Sequence, residues 1–402
     1  MRTGLKFLLF LLITTAIGCK NNKTPNDYLK EVLSNLEKIE SATYTTIREA
    51  WYPGDTTAVY TVCYLNKEYN NPMDSTIGAC FVSLDCDDTT KLEDGYDGKI
   101  RILVYHDVKG IVVDDFTTRP LPIRPVGPPF FNYTKNIIRY MLNTKDSITV
   151  ESIDLGDRYY FKLVIHEDRQ VEFFGEAYYV PDNPYNFGDP TSIYELWISK
   201  SNDLPHKVRR EMSHSISATT CSSDIKINKI SINDFNLYEY FPPDYEVRAY
   251  GVKGNAPSTS NLIGKTAPDW KLTDMYEQPV SLTDFKSKVL LVNFTGIGCG
   301  PCMVAIPFLR ELKDSFSVED FDLVAIECWG GKAHSLQNYA NKHNINYTFL
   351  RGTDGLLKDY QTGSGVPVYF ILDKQRVVRK VIHGYGVGTT DKEIMSAITE
   401  LL

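Results

Sequence analysis

Cys299-Gly300-Pro301-Cys302 constrains this chain more than any other feature. Two cysteines three apart at the start of a helix put both sulfurs on one face, within bonding reach. The first sulfur then faces unpaired backbone N–H groups and the positive end of the helix dipole, a setting that favours an anion. A thiolate is the nucleophile of disulfide exchange, and that setting lowers its pKa. A Cys-x-x-Cys is also half of a zinc site, which needs four ligands. No second such pair and no nearby histidine pair completes one, so the motif reads as redox chemistry with no metal and no cofactor.

The flanks supply the context. Val289-Leu290-Leu291-Val292-Asn293-Phe294 is a short continuous apolar run, as expected of a parallel strand buried on both faces. Thr295-Gly296-Ile297-Gly298 leads tightly into the motif. Met303, Ile306, Leu309, Leu312 and Phe316 then recur at helical spacing. Pro307 falls inside that helix and should kink it. Downstream, Leu323–Glu327 predicts a second buried strand and Lys332–His343 a helix. Val368–Asp373 and Val377–His383 predict two strands, and Asp391–Leu402 a closing helix. Cys328 follows the second strand, on the same sheet edge as the Cys-x-x-Cys loop. It is either a third redox thiol or a small buried hydrophobe. The glycines of 296–300 superficially suggest a dinucleotide fingerprint, but the final glycine and the downstream acidic partner are missing.

Residues about 262–402 resemble the thioredoxin superfamily, and most of all its membrane-anchored TlpA/ResA-type thiol:disulfide oxidoreductases. The entry segment Gly264-Lys265-Thr266-Ala267-Pro268-Asp269-Trp270 and Val280-Ser281-Leu282-Thr283-Asp284-Phe285-Lys286 are similar to that branch and to the related alkyl hydroperoxide reductase/peroxiredoxin group. Gly365-Val366-Pro367 resembles the family's cis-proline loop, which lies against the active disulfide and offers backbone groups to a substrate peptide. The resemblance implies an α/β thioredoxin fold, with Cys299, Cys302 and Pro367 as the catalytic set and Gly300 and Pro301 as the redox loop. The Gly-Pro dipeptide resembles thioredoxin, whose potential is about −270 mV, so a reducing couple is expected.

The departures from the family pattern are informative. Gly298 stands where the family usually has Trp, which predicts a less shielded disulfide edge and a looser loop. Asn293 stands where thioredoxins carry a buried Asp, and it cannot take a proton. Ala305 replaces a Glu common in this branch, and Val368 the usual Thr after the cis-proline. Glu327, ending the neighbouring parallel strand, is the best substitute by position for proton handling at Cys302; otherwise it is a solvated carboxylate at a strand end.

The start of the chain bears on the compartment. Met1–Lys6 is a short basic stretch, and Phe7–Ile17 is apolar but too short to span a bilayer comfortably. Ala16-Ile17-Gly18-Cys19 resembles a bacterial lipobox, which implies cleavage after Gly18 and diacylation of Cys19. The alternative is an ordinary secretory signal cut near the same place. Lys20–Pro25 reads as a polar tether. Position 20 is not Asp, so the common inner-membrane retention signal is absent, and a periplasm-facing lipoprotein, outer membrane favoured, or one on the cell exterior is expected. Two or three acyl chains anchor stably at roughly 0.8 kcal/mol per buried methylene.

Length and cysteine usage agree with an exported chain of more than one domain. The expected layout is a signal peptide over 1–18 and a lipidated tether over 19–25. An α+β, mostly antiparallel-sheet domain follows over 26–251, then a linker over 252–262 and the thioredoxin-like domain over 263–402. A net charge of −8 without long acidic runs argues against a nucleic-acid partner. The implied partners are disulfide-containing client proteins, a membrane thiol protein that donates electrons, and the membrane itself through the lipid. Cys63, Cys80, Cys86 and Cys221 are candidates for structural disulfides, with three connectivities allowed. Cys63 and Cys80 flank the turn signal Asn70-Asn71-Pro72 almost symmetrically, which predicts a Cys63–Cys80 bridge and leaves Cys86 for Cys221. Cys80 and Cys86 on one strand would lie roughly 20 Å apart at about 3.3 Å per residue, too far to bond. The seven histidines show no metal spacing, and His334 and His343 read as surface residues.

Pro25–Glu40 predicts a helix, with Tyr28, Val32, Leu33, Leu36 and Ile39 on one face. Alternating segments follow at Ala42–Trp51, Thr56–Asn66, Ile77–Leu84, Lys99–His106, Tyr159–His166, Val171–Tyr179, Ile193–Ser199 and Ile225–Phe235, with a helix at Tyr133–Leu142. Pro120–Pro129 is a stiff connection. Leu196-Trp197-Ile198-Ser199, Leu204–Arg209 and Phe241-Pro242-Pro243 resemble LolA-like lipoprotein carriers, which implies a curved sheet with helices on its concave face. Two functions from different classes follow. One is a membrane-tethered thiol:disulfide oxidoreductase, with a thiol peroxidase as its variant. The other is a lipid- or partner-binding lipoprotein with secondary redox activity.

Overall fold

A computed structural model describes residues 23–118, 126–181, 189–252, 261–362 and 365–402. The expectations for the signal peptide, for Cys19 and for residues 253–260 of the linker lie outside them.

Helix α1 (Pro25–Glu37) starts at an N-cap, Thr24, whose hydroxyl accepts from the Asp27 N–H at 3.2 Å, with Pro25 and Asp27 in the first turn. It ends three residues before the predicted Glu40, because strand β1 (Ser41–Trp51) already begins at Ser41. Strands β2 (Tyr60–Asn70) and β3 (Ala79–Asp85) continue the sheet. Helix α2 (Phe130–Asn143) has no cap of its own, and buried Glu68 of β2 accepts from the N–H groups of Phe131 at 3.1 Å and Asn132 at 2.7 Å. Strands β4 (Ser192–Ser199), β5 (Leu204–Met212) and β6 (Ser215–Cys221) complete the centre, in the order β3-β2-β1-β6-β5-β4. Strict alternation along β4 turns Tyr194, Leu196 and Ile198 to the face on which α1 and α2 pack. Among the described residues the sheet has thirteen strands, all pairing antiparallel except Glu246–Ala249 beside Gly110–Asp114.

Several expectations for this half are corrected. The β2–β3 hairpin turns about Asp74 and Ser75, not Asn71, because Asn70 pairs with Ala79 and Tyr64 with Asp85. That register sets Cys63 opposite Cys86, and those two form the disulfide, with Cα atoms 5.5 Å apart. Cys80 faces Tyr69, so neither the Cys63–Cys80 nor the Cys86–Cys221 bridge exists. Cys80 and Cys221 are buried free thiols, pushed up by burial to about 11 and about 12. Val171–Tyr179 is a hairpin broken at Gly175, whose φ of 111° only glycine adopts readily and where a Cβ would strike the Thr76 carbonyl. In Ile225–Phe235 only Lys226–Ile227 pairs, since Asn228 turns left-handed at φ 55°.

The C-terminal domain comprises β7 (Lys271–Asp274), β8 (Pro279–Ser281), β9 (Val289–Thr295), α3 (Gly300–Asp314), β10 (Phe321–Glu327), α4 (Ala333–His343), β11 (Thr348–Arg351), α5 (Asp354–Asp359), β12 (Val368–Leu372), β13 (Val378–His383) and α6 (Thr390–Thr399). The sheet order is β8-β7-β11-β10-β9-β12-β13. Every residue of β9 is buried. Val289 and Leu291 join the α3, α4 and α6 side, whereas Leu290, Val292 and Phe294 join the α5 side. This two-sided burial is why the run is continuously apolar. Helix α3 continues through Pro307 to Asp314.

Candidate active site

The sheet places the site. Strand β9 runs parallel to β10, Thr295 opposite Glu327, and antiparallel to β12, Phe294 opposite Val368. One sheet edge therefore receives the 296–299 loop, the end of β10 and residue 367 together. The Val366–Pro367 peptide bond is cis, and the Val366 carbonyl lies 3.6 Å from Cys299 Sγ. The Pro367 carbonyl accepts from the Gly384 N–H at 2.8 Å, which ties that loop to the end of β13.

Cys299 is the N-cap of α3, and its sulfur accepts from the Cys302 N–H at 3.3 Å. Gly300 and Pro301 open the helix, where a missing N–H costs nothing. Cys302 follows one turn on, and the two sulfurs are bonded, with Cα atoms 5.2 Å apart. The Cys302 N–H and the helix dipole would hold a reduced Cys299 as thiolate.

The glycine at 298 does not leave the disulfide open: Cys299 is only 5 % exposed. Two rings that the sequence reading missed flank the loop. Trp329, itself 48 % exposed, covers Gly296 so closely that a Cβ there would lie 2.6 Å from the indole. Tyr52, from the N-terminal domain, brings its ring edge to 3.9 Å from a Cβ position at Gly298, whose φ is 83°. An aromatic in the Gly-rich run Cys328-Trp329-Gly330-Gly331 was a signal for the first. Nothing local signals Tyr52.

Tyr52 is held there by the β1–β2 connection. The Asp55 carboxylate accepts from Ser335 Oγ at 2.5 Å and Asn338 Nδ2 at 3.3 Å, and His334 Nε2 lies 3.6 Å away. Lys332 Nζ donates to Thr57 Oγ1 at 3.1 Å, and Lys342 Nζ to the Ser213 carbonyl at 2.6 Å. These contacts explain why the predicted strand 56–66 begins only at Tyr60. His334 and His343 remain partly exposed: His334, its side chain 42 % exposed, faces Asp55, and the His343 ring lies 4.4 Å from that of Tyr339 on the same helix.

Glu327 is not solvated; it is 1 % exposed. Its carboxylate accepts from the N–H groups of Trp329 at 2.9 Å and Gly331 at 2.7 Å and is bonded to the Ile297 backbone in the redox loop. Burial raises its pKa, against those N–H groups and Arg351. The group ties the 328–331 turn to the loop before Cys299. Cys328 packs toward the α5 side of the sheet, and burial, with the Glu327 charge, pushes its thiol up to about 12. Asn293 is buried behind the site. Among the described residues no cluster of three or more His, Cys, Asp or Glu can hold a metal ion.

Comparison with known proteins bears on the same region. The sequence profile of the AhpC/TSA family matches residues 263–381. The thiol-disulfide oxidoreductase ResA of Geobacillus thermodenitrificans is 28 % identical over 127 residues, 31 % of this chain and 72 % of that protein. This C-terminal region is a thioredoxin-like AhpC/TSA-family domain. ResA of Bacillus subtilis matches the AhpC/TSA domain at 26 % identity over 121 residues, 30 % of this chain and 67 % of its own length. A thiol:disulfide interchange protein from Bacteroides sp. aligns at 19 % identity with a TM-score of 0.31, covering 35 % of this chain and 93 % of that one. Peroxidoxin BcpB from Mycobacterium tuberculosis aligns at 17 % identity with a TM-score of 0.32, covering 35 % and 98 %.

Proposed function

We propose that this chain is a membrane-tethered, extracytoplasmic thiol:disulfide oxidoreductase that reduces client protein disulfides through Cys299 and Cys302. The observation that carries the reading is the Cys299–Cys302 pair at the start of α3, facing cis-Pro367 across the sheet edge. The ResA relatives are named for this chemistry, and the chain is a thiol:disulfide oxidoreductase like them. In the reductive half-reaction the Cys299 thiolate attacks one client sulfur. The client S–S bond breaks, and the leaving thiolate takes a proton. The Cys302 thiolate then attacks Cys299 Sγ, releases the second client thiol and regenerates the Cys299–Cys302 disulfide. A dithiol protein of the membrane restores the reduced pair and is itself oxidised.

Tethering through an acylated Cys19 rests on the sequence of the leader. Among the described residues no helix is long and apolar enough to cross a membrane. The test of the mechanism is a pair of variants. Cys302→Ser should accumulate mixed disulfides with clients on non-reducing gels, and Cys299→Ser should not; equal trapping by both would contradict the roles. Equilibration with glutathione should give a potential nearer the about −270 mV of thioredoxin than the about −120 mV of DsbA. A value near the latter would overturn reduction as the direction.

A further inference from the structure

A cleft of about 420 Å3 separates the two domains beside the disulfide. Gly298 and Met303, on either side of the Cys299–Cys302 pair, line it from the redox domain, and Tyr52 and His214 line it from the N-terminal domain. Its volume is that of a ligand pocket, room for a few residues of extended chain.

Its chemistry is one-sided. The charged side chains that line it are Arg310 and Lys342, and no carboxylate does, in a chain of net charge −8. Two buried polar atoms in its walls have no hydrogen-bond partner, Arg310 Nε and Tyr339 Oη, and Tyr339 is only 8 % exposed. Buried groups of this kind are costly unless something satisfies them. Ile297, Met303 and Ile306 add apolar lining. The positive character is felt by the neighbours: burial first, then Lys342, lowers the pKa of His343. The Asp55 clasp keeps the Tyr52 wall in place.

We propose that this interdomain cleft is the client subsite of the redox centre, taking an extended peptide segment that carries an acidic residue beside an apolar one, next to the client cysteine. The inference rests on the reductase reading and gives it a substrate class. The acidic side chain meets Arg310, with Tyr339 Oη as a second partner, and the apolar one packs against Met303. Tyr52 is the specificity-determining wall, so selection is made by the N-terminal domain as much as by the redox domain.

The test uses the full chain, pre-reduced and freed of reductant, and two disulfide-bonded reporter peptides. Both carry Leu beside the cysteine; one has Glu and the other Lys two positions further on. The acidic peptide should be reduced with a single-turnover second-order rate constant about tenfold higher, the usual reach of one charge-assisted contact. Arg310→Ala should abolish that ratio, and Arg310→Lys should retain most of it, which separates lost charge from lost fold. Equal rates for both peptides in the unmodified chain, or a preference that survives Arg310→Ala, would overturn the cleft assignment and leave the reductase reading standing. Failure to reduce either peptide, while dithiothreitol still cycles the Cys299–Cys302 pair, would overturn both.

Discussion

Replacing Asp55 by alanine should loosen the N-terminal domain from the redox face. The carboxylate is 1 % exposed and accepts from Ser335 Oγ and Asn338 Nδ2. It also sits at the first turn of α4, whose N-cap Lys332 offers no side-chain hydrogen bond. Hydrogen bonds to a charged group contribute about 1.5–3 kcal/mol. An anion at a helix N-terminus adds about 0.3–1 kcal/mol. Removing both, with buried Ser335 left unpaired, should cost about 3 kcal/mol, roughly a hundredfold in the docking equilibrium. Native-state hydrogen exchange reads this directly. Protection in the first turn of α4 and in residues 297–299 should fall by about that factor, whereas β9 and β10 should be unchanged. Reduction of Cys299–Cys302 by dithiothreitol should speed up as Tyr52 withdraws. Protection within threefold of the unmodified chain, together with an unchanged reduction rate, would refute the claim that Asp55 holds the domains together.

Non-reduced peptide mapping should recover a Cys63–Cys86 peptide and unpaired Cys80 and Cys221; Cys86→Ser should lower stability by about 3 kcal/mol in denaturant titration, the usual worth of closing a loop of this size. Asp373 is ionised more readily than usual: burial opposes it, but the N–H groups of Val377 and Gln375 and the Arg379 guanidinium outweigh burial. A lowered folded pKa gives stability that is present above the ordinary value of 3.8 and lost as pH falls through the folded value. Asp373→Asn should therefore lower the melting temperature at pH 7 by the equivalent of about 1–2 kcal/mol and flatten its decline below pH 4; an unchanged acid limb would contradict this. Metabolic labelling with a fatty acid should tag the unmodified chain and not Cys19→Ala, and a mature N-terminus other than Cys19 without label would remove the tether.

What the sequence determined by itself is what local pattern controls. The strand, the Cys-x-x-Cys and the helix read correctly because β9 is buried on both faces and α3 carries its own N-cap, so each is specified within a few residues. The cis bond at Pro367 was legible only through the family resemblance that Gly365-Val366-Pro367 carries. The N-terminal cysteine pairing was not, because the turn signal at Asn70–Pro72 lies three residues from the true centre of the hairpin, and register is set by cross-strand pairing. The burial of Glu327 was not legible, because it depends on the 328–331 turn folding back onto the redox loop. The cover over Gly298 comes from Tyr52, some 250 residues away in sequence, and Asp55, held by Ser335 and Asn338, fixes it there. Periodicity reports which face of an element is buried; it does not report which distant element buries it. The redox chemistry is therefore written in four consecutive residues, whereas access to it is decided by the packing of one domain on the other.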